Sequence, residues 1–191
     1  MRLGIALYYI GVDAAHWALV LTPSDWHAPR CSVYQIVRIS GDRWRQHLSI
    51  VPLPNAPEFR GIIELIAADD LPGPESQPYP WDDSSDDESA RLWEICDRVI
   101  REHAKDANEP AKRKVIPGPH GWTCAAWVLD VLMDLEDIGI FDLPLEITWA
   151  SIYSDVVATG WILRDLYEDA RPFPVLRLVS PRHGGANEVR I

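Results

Sequence analysis

The chain has 191 residues, 47% hydrophobic and 25% charged, a balance that excludes fibrous and disordered classes and suits a single domain over residues 1–191. Its 18 Lys and Arg against 29 Asp and Glu leave a formal net charge of −11, so a duplex or a long phosphate backbone would be repelled and no nucleic-acid partner is expected. The 3 cysteines, Cys31, Cys96 and Cys124, are odd in number and lack metal-ligand spacing, which counts against a disulfide framework and a metal site and fits a reducing, cytoplasmic setting.

In chain order, Arg2 to Ile10 and Ala15 to Leu21 are dense in Ile, Leu, Val, Tyr and Trp, with Gly11 and Asp13 as turn signals between them, and predict two strands. Ser32 to Ile39, the turn residues Ser40 to Asp42 and RWRQHLSIV predict a β-hairpin in which Trp44, Gln46, Leu48 and Ile50 share one face. Arg38, Arg43 and Arg45 form a local basic cluster there, of the kind that strands turn toward solvent. For Asn55 to Ala68, periodicity alone leaves a short helix and a buried strand both open. The Pro-, Ser- and Asp-rich stretch at about 69–88 predicts an acidic surface loop.

A helix is predicted from about Asp86 to His103, because Leu92, Ile95, Cys96 and Val99 recur on one face, with Cys96 packed there. VIPGPHG forbids regular structure just before WTCAAWVLDVLMDLEDIGIF, the strongest helical run in the chain. Thr123 suits its N-cap and Gly139 its end, while Trp127, Val128, Val131, Leu132 and Leu135 form a broad apolar face. A last helix is expected from about Thr148 to Glu168, then a strand within Pro172 to Ser180 and a frayed tail after Pro181. No run of about 18 apolar residues could span a membrane, and RLGIALYYIG lacks the features of a signal peptide. No GxGxxG or GxxxxGK loop is present, so nucleotide binding of those kinds has no support and no cofactor is expected.

Cys124 falls at the first turn of the strongest helix, where unpaired amides and the helix dipole favour a thiolate and could also donate to an oxyanion. A thiol nucleophile needs a base, and His16, in the otherwise apolar AHWALVL, is the leading candidate because a buried imidazole requires a partner. His120, four residues before Cys124 in a PHG loop, is the competitor and a candidate for lining the entrance. Each residue alone has a plainer reading, a core cysteine and a hydrogen-bonded strand histidine.

HWALV at His16 to Val20 and TCAAWVLDVL at Thr123 to Leu132 together resemble the permuted papain-like cysteine enzymes, in which the histidine strand precedes the cysteine helix. These include lecithin retinol acyltransferase and its phospholipase-acyltransferase relatives, NlpC-type enzymes and permuted-papain isopeptidases. The resemblance implies an α+β fold with a compact antiparallel sheet packed against helices. It implies Cys124 as nucleophile, His16 as base and acid, and a third polar strand residue that orients the ring, for which Gln35 is the candidate because Tyr34 and Ile36 point to the other face. Thr123 stands where these relatives carry Asn, and Ala125 where they carry Glu or Gln, so a lipid substrate is not implied.

Among 9 Trp, Trp17 and Trp122 flank the two motif residues and are candidates to wall a substrate pocket, Trp122 foremost because it precedes the reactive turn outside the helix's core face. The expected chemistry is acyl transfer through a thioester on Cys124, with an acyl, amide or ester substrate, by a hydrolase or an acyltransferase. Two alternatives stand beside it. One is an inactive papain-like binding module, and the other is a biosynthetic aminoacyl or peptidyl transferase, for which the charge of −11 counts against a tRNA donor.

Overall fold

The computed structural model describes residues 1–11, 14–23, 25–41, 43–53, 58–66, 85–105, 107, 116–143, 147–166, 173–177 and 189–190. Seven strands and three helices follow in the order β1 (Arg2–Gly11), β2 (Ala14–Thr22), β3 (Cys31–Ser40), β4 (Arg43–Val51), β5 (Phe59–Ile66), α1 (Ser85–Lys105), α2 (Cys124–Asp137), α3 (Trp149–Leu166), β6 (Val175–Arg177) and β7 (Val189–Arg190). They make an α+β fold around one sheet of order β4-β3-β2-β1-β5-β6-β7. Neighbouring strands are antiparallel except β5 and β6, which run parallel. The expected antiparallel sheet is therefore mixed, because the chain crosses from β5 through all three helices before returning to the same sheet. Such a long crossover permits parallel pairing where a tight turn does not.

Strand alternation divides the core between the two faces of this sheet. Leu3, Ile5 and Leu7 of β1, Trp17, Leu19 and Leu21 of β2, and Tyr34 and Ile36 of β3 pack into one cluster with α2 and the buried residues of α1 and α3. Ala6, Ala18, Val20, Val33 and Ile62 face the other way and are covered by Trp26, Leu53, Phe59 and Phe173. The segment that periodicity left open becomes β5. It reads ambiguously because Ile62 and Ile63 are buried on opposite faces, so adjacent apolar residues replace the strict alternation of a half-buried strand.

α2 is the inner helix, with every residue from Ala125 to Leu132 buried. The Thr123 side chain accepts from the Ala126 amide at 3.1 Å, the N-cap bond the sequence predicts. At the other end Gly139, at φ 75°, takes the left-handed conformation that ends the helix. The loop leading into α2 is set by Gly118, at φ 107°, whose missing side chain leaves room for Tyr153 of α3: a Cβ there would come within 2.6 Å of the ring. The acidic stretch lies outside the described residues through position 84. Part of the tail expected to fray instead forms β7, which pairs with β6.

α1 is tied to α2 by a buried ionic contact that sequence reading did not anticipate. The His103 ring, about 10% exposed, presents Nε2 to Asp134 Oδ2 at 2.6 Å and Nδ1 to Asp130 Oδ2 at 3.3 Å. Burial pulls its pKa down, but the hydrogen bonding and charge of the two aspartates outweigh it and hold His103 above its ordinary value. A raised histidine contributes stability in full below its unfolded value, about 6.5, and loses it as pH climbs through the folded value. Thermal unfolding across that range should show the stability falling on the alkaline side. His103→Gln should remove that part of the slope and cost about 3 kcal/mol at mildly acid pH, since it strands two carboxylates. An unchanged slope would show that His103 is neutral in the fold.

Candidate functional site

The first residue of α2 is Cys124, and its seat is the end of β2 that β3 leaves unpaired. Pairing between β2 and β3 runs from Leu21↔Ser32 to Leu19↔Tyr34 and goes no further toward His16. Next to this split, the backbone of Trp17 bears on the Cys124 thiol, as do the backbones of Ala125 and of Cys124 itself, each favouring its ionised form. Burial raises the thiol above its ordinary pKa, and these three offset it only in part. The expectation that the helix start favours a thiolate is corrected accordingly: at rest the group is a thiol, because desolvation outweighs the amide dipoles.

His16 approaches the same split from the other face. Its position opposite Tyr8 in the β1–β2 register puts its ring beside the Tyr8 ring, with centroids 6.3 Å apart. From there Nε2 reaches Gln35 Oε1 on β3 at 2.7 Å. A carboxamide oxygen only accepts, so Nε2 carries the hydrogen and Nδ1 keeps its lone pair. Burial lowers the His16 pKa, with the Gln35 bond working in the opposite direction, so the ring rests neutral.

Cys124 and His16 are thus joined through the backbone of Trp17, and no hydrogen bond links thiol to imidazole among the described residues. The direct contact expected from sequence is absent because alternation sends the Trp17 side chain to the α2 face and the His16 ring to the opposite one. The β2–β3 pairing ends before Trp17 and His16, so on that side no ladder with β3 closes the sheet between the two groups.

The remaining candidates separate. Trp17 is 3% exposed and packs within the core, its ring 5.6 Å from that of Tyr153. Trp122 is half-buried, and its indole donates to the Ala107 carbonyl at 2.8 Å. It braces Ala107, just past α1, against the loop before Cys124. His120 is exposed on that loop. Sequence reading missed His47 of β4, which lies across from Gln35 and meets its Nε2 at 3.3 Å. The signal was present, since a hairpin turning near Gly41 brings residues 35 and 47 opposite one another.

Among the described residues no group of His, Cys, Asp or Glu is arranged to hold a metal ion, and no helix is long and apolar enough to cross a membrane. No protein-family model matches the chain, and neither curated proteins nor solved structures give a match.

Cys31 and Cys96 are fully buried, whereas Cys124 is half-buried. Burial holds all three thiols above their ordinary value, so access decides their order of reaction. With iodoacetamide and peptide mapping, Cys124 should be labelled first, and its rate should rise as the pH is taken above the ordinary thiol range. Equal labelling of the three, or a rate already level at neutral pH, would contradict this picture.

Proposed function

We propose that the protein carries out cysteine-dependent acyl transfer, with Cys124 as nucleophile and His16 as the group that takes and returns the proton. The observation that carries this reading is a helix-start thiol, on which the Trp17 backbone bears, and, one residue along the same strand where pairing to β3 has ended, a neutral imidazole that Gln35 holds in one tautomer, its Nδ1 without a partner among the described residues. Buried imidazoles are costly and need a reason to be there. A ring held in one tautomer is ready to act as a general base once it turns toward the helix-start thiol across the unpaired edge of β2.

In the proposed step His16 Nδ1 accepts the thiol proton as the sulfur attacks an acyl carbonyl. The amides of Ala125 and Cys124, at the unpaired start of α2, then stabilise the developing oxyanion. As the intermediate collapses, the carbon–heteroatom bond breaks and the leaving group takes the proton back from Nδ1, leaving a thioester on Cys124. Water, or an amine or alcohol acceptor, then releases the acyl group with the same nitrogen as base. Pairing a raised thiol with a lowered imidazole keeps both neutral at rest, so charge separates only during reaction.

Binding without turnover is the second reading, and it draws on the raised thiol and the absent thiol–imidazole bond. Incubation with p-nitrophenyl acetate, acid quench and intact-mass analysis distinguish the two. Acyl transfer predicts one acetyl group mapped to Cys124 and none in Cys124→Ala. It also predicts formation about 100-fold slower in His16→Ala and more modestly slowed in Gln35→Leu. Acetylation that ignores His16→Ala, or none on Cys124, would remove this function and leave the binding reading.

A further inference from the structure

The Gln35 carboxamide stands between two imidazoles, and this imposes a rule on their protons. Oε1 meets His16 Nε2 at 2.7 Å and Nε2 meets His47 Nδ1 at 3.3 Å. One end of a carboxamide accepts and the other donates. The two ring nitrogens that face it must therefore be of opposite kind, one protonated and one bare, whichever way the amide is turned.

We infer that His47 is a positioning residue which sets, through Gln35, which ring nitrogen of His16 carries the proton. This rests on the proposal that His16 is the base. With His47 neutral and its Nδ1 bare, Gln35 donates to His47 and accepts from His16 Nε2–H, which leaves Nδ1 free to take the thiol proton. When His47 takes up a proton, its Nδ1 becomes a donor. The carboxamide must then present Oε1 to His47 and its NH₂ to His16, so His16 Nε2 gives up its hydrogen, Nδ1 acquires one, and the base toward Cys124 is lost. The covalent inventory balances, because the His16 ring exchanges one hydrogen for another and remains neutral.

The surroundings suit a switch of this kind. His47 is exposed on an edge strand, whereas His16 is half-buried, so His47 is the end of the chain open to solvent. Gln35 is the residue of β3 directly opposite it. By alternation the other ionisable groups on the same face of β4 are Arg45 and Arg43, both permanently charged, two and four residues away. Among the described residues, the titratable groups around His16 are Tyr8, on β1, and Cys124, reached across the backbone of Trp17. Tyr8 is pushed up to about 12 by burial and stays neutral throughout.

Nitrogen-15 NMR of the full chain, labelled at histidine, reads the tautomer of each ring directly. As His47 protonates, His16 should pass from the Nε2–H to the Nδ1–H form at the same midpoint, its ring remaining neutral. In Gln35→Met and in His47→Phe, His16 should keep one tautomer until it titrates itself. A His16 ring whose tautomer ignores His47 in the wild-type chain, or still switches in both variants, would overturn the inference. Cys124 alkylation is followed over the same pH range. A tautomer switch that the alkylation rate does not follow would leave the coupling standing and count against His16 as the base.

Discussion

The seating of the first turn of α2 on the unpaired end of β2 is the contact around which the rest is arranged. Packing of Trp127, Val128, Val131 and Leu132 drives the helix onto the sheet, each such side chain contributing about 1.5–3 kcal/mol by burial. That packing fixes where the helix begins, and the helix begins at Cys124. Because β2 and β3 part beyond Leu19↔Tyr34, the thiol meets the backbone of Trp17 instead of a closed ladder. A fully paired sheet would have left neither open backbone for the sulfur nor an unpaired edge beside the imidazole.

Around that contact the braces are polar and made chiefly by side chains from α1 and α2. The Trp122 indole holds Ala107, the Trp127 indole donates to the His103 carbonyl at 3.4 Å, and the His103 ring binds Asp130 and Asp134. All of them lie on the helix face. On the opposite face, Glu64 is buried yet receives Arg2 at 2.6 Å and the Trp26 indole at 2.9 Å, so a carboxylate costly to bury is paired on two sides. The His16–Gln35–His47 chain differs from these braces in running outward to solvent, which is where an exchangeable proton has to go.

How much of this could be read beforehand depended on the range of the interaction. Strands β1 to β4 and helix α2 were legible because alternation, turn residues and the Thr123 and Gly139 signals act within a few residues. The pairing of His16 with Gln35 followed from the same alternation, which puts Gln35 on the face away from Tyr34 and Ile36. What escaped involved two elements at once: the clamp on His103 joins residues from separate helices, and the parallel pairing of β6 with β5 depends on a crossover. The direct thiol–imidazole contact failed for the opposite reason. Two short motifs suggested partners, but the parity of His16 and Trp17 along one strand turned the ring to the face away from α2.

The account stands on the claim that Cys124 and His16 exchange a proton across the unpaired edge of β2 beside Trp17, and a crystal structure of a Cys124 adduct with a small acyl chloromethyl ketone measures it most directly. With the sulfur alkylated and its proton gone, His16 Nδ1 is expected within about 4 Å of the sulfur or of the adduct oxygen, directly or through one water, while Nε2 stays on Gln35. A ring still packed against Tyr8, with Nδ1 separated from the adduct by the backbone of β2, would contradict it.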